Sequence, residues 1–62
     1  MEKLLSVKEV AEVLGVPVPT LYQWRSQGVA PRGYRVGKHV RFREADVRDW
    51  LEQRADDLRP TG

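Results

Sequence analysis

The chain has 62 residues, 32% of them charged and 40% hydrophobic, with a formal net charge of +2, one histidine and no cysteine. That length supports one domain with a thin core, because a chain of this size buries only about 60% of its unfolded surface. The composition excludes a disulfide framework and a thiolate metal site, and no apolar run approaches the ~20 residues of a membrane span. The small net charge hides an uneven distribution. From Val13 to Arg43 the basic residues are Arg25, Arg32, Arg35, Lys38, Arg41 and Arg43, with no Asp or Glu among them. Before this stretch Glu2, Glu9 and Glu12 outnumber Lys3 and Lys8. After it Glu44, Asp46, Asp49, Glu52, Asp56 and Asp57 outnumber Arg48, Arg54 and Arg59. A basic middle held between two acidic ends suggests that the middle meets a polyanion and the ends do not.

The first helix is announced by Ser6 and Glu9, whose spacing is that of a capping box. Val7, Val10, Ala11 and Leu14 then recur on one helical face, and Gly15 supplies a left-handed stop. Leu4 or Leu5 stands where it can pack back on the helix as a staple. Gly15, Val16 and Pro17 form the connection to the next helix. Pro17 and Pro19 forbid a continuous helix but are tolerated at a helix start, where their missing N–H groups cost little. The second helix is predicted from Val18 to Gln27, ended by Gly28. Leu21 and Trp24 are its inward pair, leaving Thr20, Tyr22, Gln23, Arg25, Ser26 and Gln27 on or beside the outward face.

Val29–Gly33 reads as a short loop, and Tyr34–Phe42 as a β-hairpin. A three-residue loop of Gly37, Lys38 and His39 would set Val36 against Val40 and Tyr34 against Phe42, collecting four apolar side chains on one face. That register sets Arg35 opposite Arg41, with Lys38 at the tip. Like charges so placed cost on the order of 0.2–1 kcal/mol, which a ligand with closely spaced negative charges would relieve. The last helix is predicted from Glu44 to about Ala55, with Val47, Trp50 and Leu51 inward. Glu44 and Asp46 lie at its positive end, and Glu44 with Arg48 is a well-oriented i, i+4 pair. Its acids read as a solvated face. Trp24, Trp50 and Phe42 are expected in the core, Tyr34 at its edge. The domain is expected over residues 1–55, and Asp56–Gly62 as a flexible tail.

Ser6, Ser26, His39 and the carboxylates assemble no catalytic constellation, and no cofactor or metal site is expected, so a non-enzymatic protein is the expectation. The order helix, tight turn, helix, basic hairpin, helix is that of a mainly α fold with a small β-hairpin, a winged helix-turn-helix. In that arrangement the N-terminal half of the second helix enters the DNA major groove. Pro19, Thr20 and Gln23 stand at the entering end. Gln can pair bidentately with adenine and Thr can touch a thymine methyl. Tyr22, Arg25 and Ser26 are placed for the flanking backbone, which positions without specifying. On the wing, Arg35, Lys38 and Arg41 can follow the phosphates, with His39 at the tip as a weak donor.

The segments Leu5-Ser6-Val7-Lys8-Glu9-Val10-Ala11, Leu14-Gly15-Val16, Thr20-Leu21-Tyr22-Gln23-Trp24, Gly37-Lys38-His39-Val40-Arg41-Phe42 and Asp46-Val47-Arg48-Asp49-Trp50-Leu51 carry a resemblance. In this order the chain resembles the small excisionase-type winged-helix proteins of the MerR superfamily, over about Leu4 to Leu51. The resemblance implies that Thr20, Tyr22 and Gln23 enter the major groove and Lys38 reaches the minor groove. It also implies a non-catalytic excisionase, or recombination directionality factor, of a phage or integrative element. Such a protein binds and bends attachment-site DNA beside further copies of itself and favours excision by a partner integrase. Pro17 and Pro19 depart from the polar residues often found at the start of the recognition helix in this group, and Tyr22 and Gln23 from its common basic ones. MerR-type regulators carry a long dimerisation helix and effector domain after the winged helix. Neither follows here, so an excisionase is expected first and a minimal transcriptional regulator second, in the cytoplasm and away from membranes.

Overall fold

The computed structural model describes residues 2–55. Strand β1 (Leu4–Ser6) runs into helix α1 (Val7–Leu14), followed by α2 (Val18–Gln27), β2 (Gly33–Val36), β3 (His39–Arg43) and α3 (Glu44–Gln53). The three strands form one antiparallel sheet in the order β1-β3-β2. This is a winged helix-turn-helix of three helices and a small sheet. The expected tail lies outside the described residues.

Both helix starts and stops that carry local chemistry fall where the sequence sets them. The Ser6 hydroxyl accepts from the Glu9 N–H at 3.1 Å, and the Glu9 carboxylate accepts from the Ser6 N–H at 2.9 Å. Gly15 closes α1 at φ +72°, in the left-handed region where a side chain is strained. Its N–H donates to the Glu12 carbonyl at 3.1 Å, and that of Val16 to the Ala11 carbonyl at 3.0 Å. Pro17 then caps α2 without a side-chain hydrogen bond, and its carbonyl accepts from the N–H of Thr20 at 3.0 Å. The tight turn therefore rests on backbone bonds and on the two prolines.

Val7, Val10, Ala11, Leu21, Phe42 and Val47 make the core, with Leu5, Leu14, Val16, Val18, Trp24, Ala30 and Val40 packed around it. Pro31 is also buried. Three expectations about the core are corrected. Trp50 is only half-buried and stands outside this cluster, and Trp24 lies at its margin. Leu51 is 43% exposed, so of the three positions expected inward on α3 only Val47 is buried. The two indoles instead stack on each other, with centroids 5.8 Å apart. The Trp50 Nε1–H donates to the Val29 carbonyl at 2.8 Å, and Arg54 lies over the Trp50 ring while donating to that same carbonyl. The second indole is thus a clasp between α3 and the loop after α2.

The hairpin register also differs from expectation. A two-residue turn of Gly37 and Lys38 pairs Val36 with His39, Arg35 with Val40, Tyr34 with Arg41 and Gly33 with Phe42. Gly37 has φ +62° and Lys38 does not share that sign, the φ pattern of a type II′ turn, whose first central residue is glycine. Directly opposed residues share a face, so Leu5, Phe42, Val40, Gly33 and Arg35 occupy the core side of the sheet. Tyr34, Val36, His39, Arg41 and Arg43 occupy the other. Arg35 and Arg41 therefore do not oppose each other, and the repulsion expected from that pairing is absent. The apolar set is split because its members have different partners. The Tyr34 hydroxyl donates to Asp46 at 3.0 Å and its ring carries the Arg32 guanidinium, whereas Val36 lies near the tip, 49% exposed.

Strand β1 was not expected at all. Leu5 pairs with Phe42 and packs on the core, while Leu4 pairs with Arg43 and stays at the surface. The staple at the start of α1 is therefore also a third strand.

Candidate nucleic-acid interface

Helix α2 turns Leu21 fully inward, with Val18, Trp24 and Arg25 half-buried beside it. Pro19, Tyr22, Gln23 and Ser26 are exposed, and Thr20 is half-buried at the edge of that stripe. Tyr22, Gln23 and Ser26 follow Pro19 by three, four and seven residues, so the four line one helical face. The Ser26 hydroxyl donates to the Gln23 carbonyl at 3.1 Å, which holds it against the helix. Tyr22 is 52% exposed. There is no acid in this helix, and its only charge is Arg25.

Arg25 is the one residue of the α2 set that does not face outward. It follows Leu21 by four positions, so the helical period carries it toward the sheet. Its guanidinium lies over the Phe42 ring, 5.9 Å from the centroid. A Cβ on Gly33 would collide with Arg25 Nη1, so the guanidinium occupies the space that a side chain opposite Phe42 would take. The period from Leu21 was the available signal in the sequence; the notch at Gly33 had none.

The basic stretch separates into two groups once folded. Arg43 pairs with Glu2 at 2.7 Å, Arg32 lies over the Tyr34 ring, and Arg25 over that of Phe42. The Arg43 guanidinium is held above its ordinary value, first by its hydrogen bond to Glu2 and then by Tyr34 beside it. Arg35, Lys38 and Arg41 remain on the wing. Among the described residues the ion pairs are Lys3–Glu9, Arg43–Glu2 and Arg48–Glu44, so no acid pairs with any of the three. Arg35 and Lys38 are exposed, as is His39, and Arg41 is half-buried with Nη1 donating to the Val40 carbonyl at 3.0 Å. Arg35 stands on the core side of the sheet, Arg41 and His39 on the other, and Lys38 in the turn between them. The wing is cationic on both faces and at its tip.

The acids gather elsewhere. Glu44 and Asp46 open α3, and Asp46 has a tertiary role that a solvated face would not need, as acceptor for Tyr34. Among the described residues no group of His, Cys, Asp or Glu side chains could hold a metal ion, and no helix is long and apolar enough to cross a membrane.

Two helices joined by a three-residue turn, the second exposing a polar stripe without acids and followed by a basic hairpin, define a winged helix-turn-helix of the DNA-binding class. A family model of the helix-turn-helix domain matches residues 4–55. The chain belongs to that family, which includes excisionase-like DNA-binding proteins. Searches of curated proteins and of solved structures found no match.

Proposed function

We propose that this protein is an excisionase, a recombination directionality factor that binds and bends attachment-site DNA so that a partner integrase excises the element. DNA contact rests on one observation above the others: Arg35, Lys38 and Arg41 surround the wing on two faces and at its tip without an acid partner. A hairpin charged in this way is suited to standing between two phosphate strands, as in a minor groove, with Lys38 leading and His39 a weak donor beside it. In this reading α2 lies in the adjacent major groove. Thr20 and Gln23 meet base edges, with Pro19 at the point of entry, while Tyr22 and Ser26 meet phosphates. The excisionase role is supported by the family's inclusion of excisionase-like proteins and by the resemblance of the sequence to that group. A single basic wing on a small module binds weakly alone, so several copies bound side by side belong to the proposal.

The test is capture of fragmented source-genome DNA by the purified protein, followed by footprinting of the enriched fragments. Protected direct repeats inside an integration site are the expected result. Protection at promoters away from any integrase gene would replace the excisionase reading with that of a small transcriptional regulator. Failure to enrich any fragment, even at low salt, would remove the DNA-binding reading of the wing.

A further inference from the structure

Arg25 is half-buried and lies against Phe42, and its side chain makes no hydrogen bond or ion pair among the described residues. Helix α2 packs chiefly on α1, whereas the sheet is held by α1 and α3. Leu21 of α2 and Phe42 of β3 meet in the core, and beyond that shared cluster the Arg25 side chain carries α2 onward to β2. It leaves α2 one turn after Leu21, covers the ring of Phe42 on β3, and ends in the notch that Gly33 leaves on β2. Gly33 is not in the left-handed region, so its backbone does not require glycine, and what occupies the space over it is the flexible end of Arg25.

We propose that Arg25 is a positioning residue that locks the wing to α2 through the Gly33 notch, and that it acts on DNA affinity through this lock rather than as a phosphate ligand. The inference rests on the DNA-binding reading of the wing but concerns a residue that the reading does not need. A wing fixed in the free protein meets DNA already ordered. Without the lock, the cost of ordering it moves to the binding step and weakens the complex. A lost phosphate contact behaves differently, because it releases one counterion fewer and reduces the salt dependence.

Three variants separate these cases. Arg25→Ala removes both cover and charge. Arg25→Met keeps an unbranched cover over Phe42 but no charge. Gly33→Ala keeps every charge and displaces the guanidinium. Its methyl also meets the Phe42 ring and Val40 Cγ1 at 3.3 Å, so its effect on the wing counts for the lock only where Arg25→Ala shows the same change. The first readout is DNA-free: backbone amide order parameters for Tyr34–Arg43, with the amides of α1 reporting that the fold is intact. Arg25→Ala and Gly33→Ala are expected to lower the wing values, and Arg25→Met, which covers Phe42 without reaching the Gly33 notch, to leave them between those of Arg25→Ala and the parent. Unchanged wing values in Gly33→Ala would overturn the proposal whatever the DNA results, and that variant retains the full core should Arg25→Ala fail to fold.

The second readout is binding of a fluorescein-labelled mixed-sequence duplex over a series of salt concentrations. Arg25→Ala and Gly33→Ala are expected to weaken binding by roughly two- to fivefold, the scale of one surface cation–π contact, with the slope against salt unchanged. A slope reduced by about one unit in Arg25→Ala, with Gly33→Ala binding like the parent, would make Arg25 a phosphate ligand and overturn the proposal. Lys38→Ala serves as the control for the wing itself. If Lys38→Ala leaves affinity and slope untouched, the wing reading fails, and the order parameters still decide the lock.

Discussion

At the scale of single residues, the capping box joins sequence to stability most directly. The Glu9 carboxyl is held below its ordinary value of 4.5, chiefly by the hydrogen bond from the Ser6 backbone, then by the Ser6 side chain, with a smaller contribution from Lys3 at 3.5 Å. The folded state therefore binds the Glu9 proton less readily than the unfolded chain does. Its stabilising contribution is fully present above the ordinary carboxylate range and is lost as pH falls through the lowered folded-state value. A carbon-detected NMR titration of Glu9 should show this depression, and Ser6→Ala should return the carboxyl toward its ordinary range. The same substitution removes an N-cap and is expected to cost about 1 kcal/mol in a urea melt near neutral pH. An unaltered melt would mean that β1 pairing, rather than the cap, fixes the start of α1.

Gln23 and Lys38 make opposite predictions about recognition at this scale. Gln23 is exposed on the entering face of α2 and carries both a donor and an acceptor, the combination that reads an adenine edge. Gln23→Ala should relax sequence preference at one position by about 1–3 kcal/mol, measured by competition with single-base variants of the footprinted site. Lys38→Ala should instead weaken binding uniformly across sequences and lower the salt slope by about one unit. An unchanged preference in the first variant would remove Gln23 from base readout.

Among the elements, α1 and α2 were legible because their ends are written in local chemistry. Ser6 with Glu9, Gly15, the Pro17–Pro19 pair and Gly28 each act within a turn of the chain, and α2 runs from Val18 to Gln27 as predicted. The hairpin was legible as a hairpin but not in register. Counting apolar residues put Tyr34 and Phe42 together, while the position opposite Phe42 is held by Gly33, and Arg25, from another element, fills the space above it. A three-residue strand such as β1 has no period to read and exists only through its pairing with β3. Trp50 was misread for a related reason. Its spacing fits an inward face, but its N–H requires an acceptor, and the Val29 carbonyl supplies one at the surface. Trp50→Phe keeps most of the stacking surface and removes that bond, so a loss of about 1 kcal/mol in a thermal or urea melt is expected. A much larger loss would show that Trp50 works as core after all.

For the whole molecule, folding changes what the basic stretch can do. Six cations free of acids in sequence become three that are engaged, Arg25 and Arg32 on aromatic rings and Arg43 on Glu2, and three that remain on the wing. Charge composition alone would predict six phosphate contacts, a slope of log affinity against log salt near −5. The folded arrangement predicts contacts from Arg35, Lys38 and Arg41 only, and hence a slope of about −3 on duplex DNA. Both values apply to one copy per site, so the measurement belongs on a short duplex that excludes side-by-side binding. A slope near −3 would mean that the engaged arginines keep their partners when DNA binds. A slope near −5 would mean that they leave them, with Arg43 the first to consider because its ion pair with Glu2 lies at the surface, where such pairs are weak. Glu2→Gln distinguishes these states: it frees Arg43 in advance and should steepen the slope by about one unit only if Arg43 is held back in the parent complex.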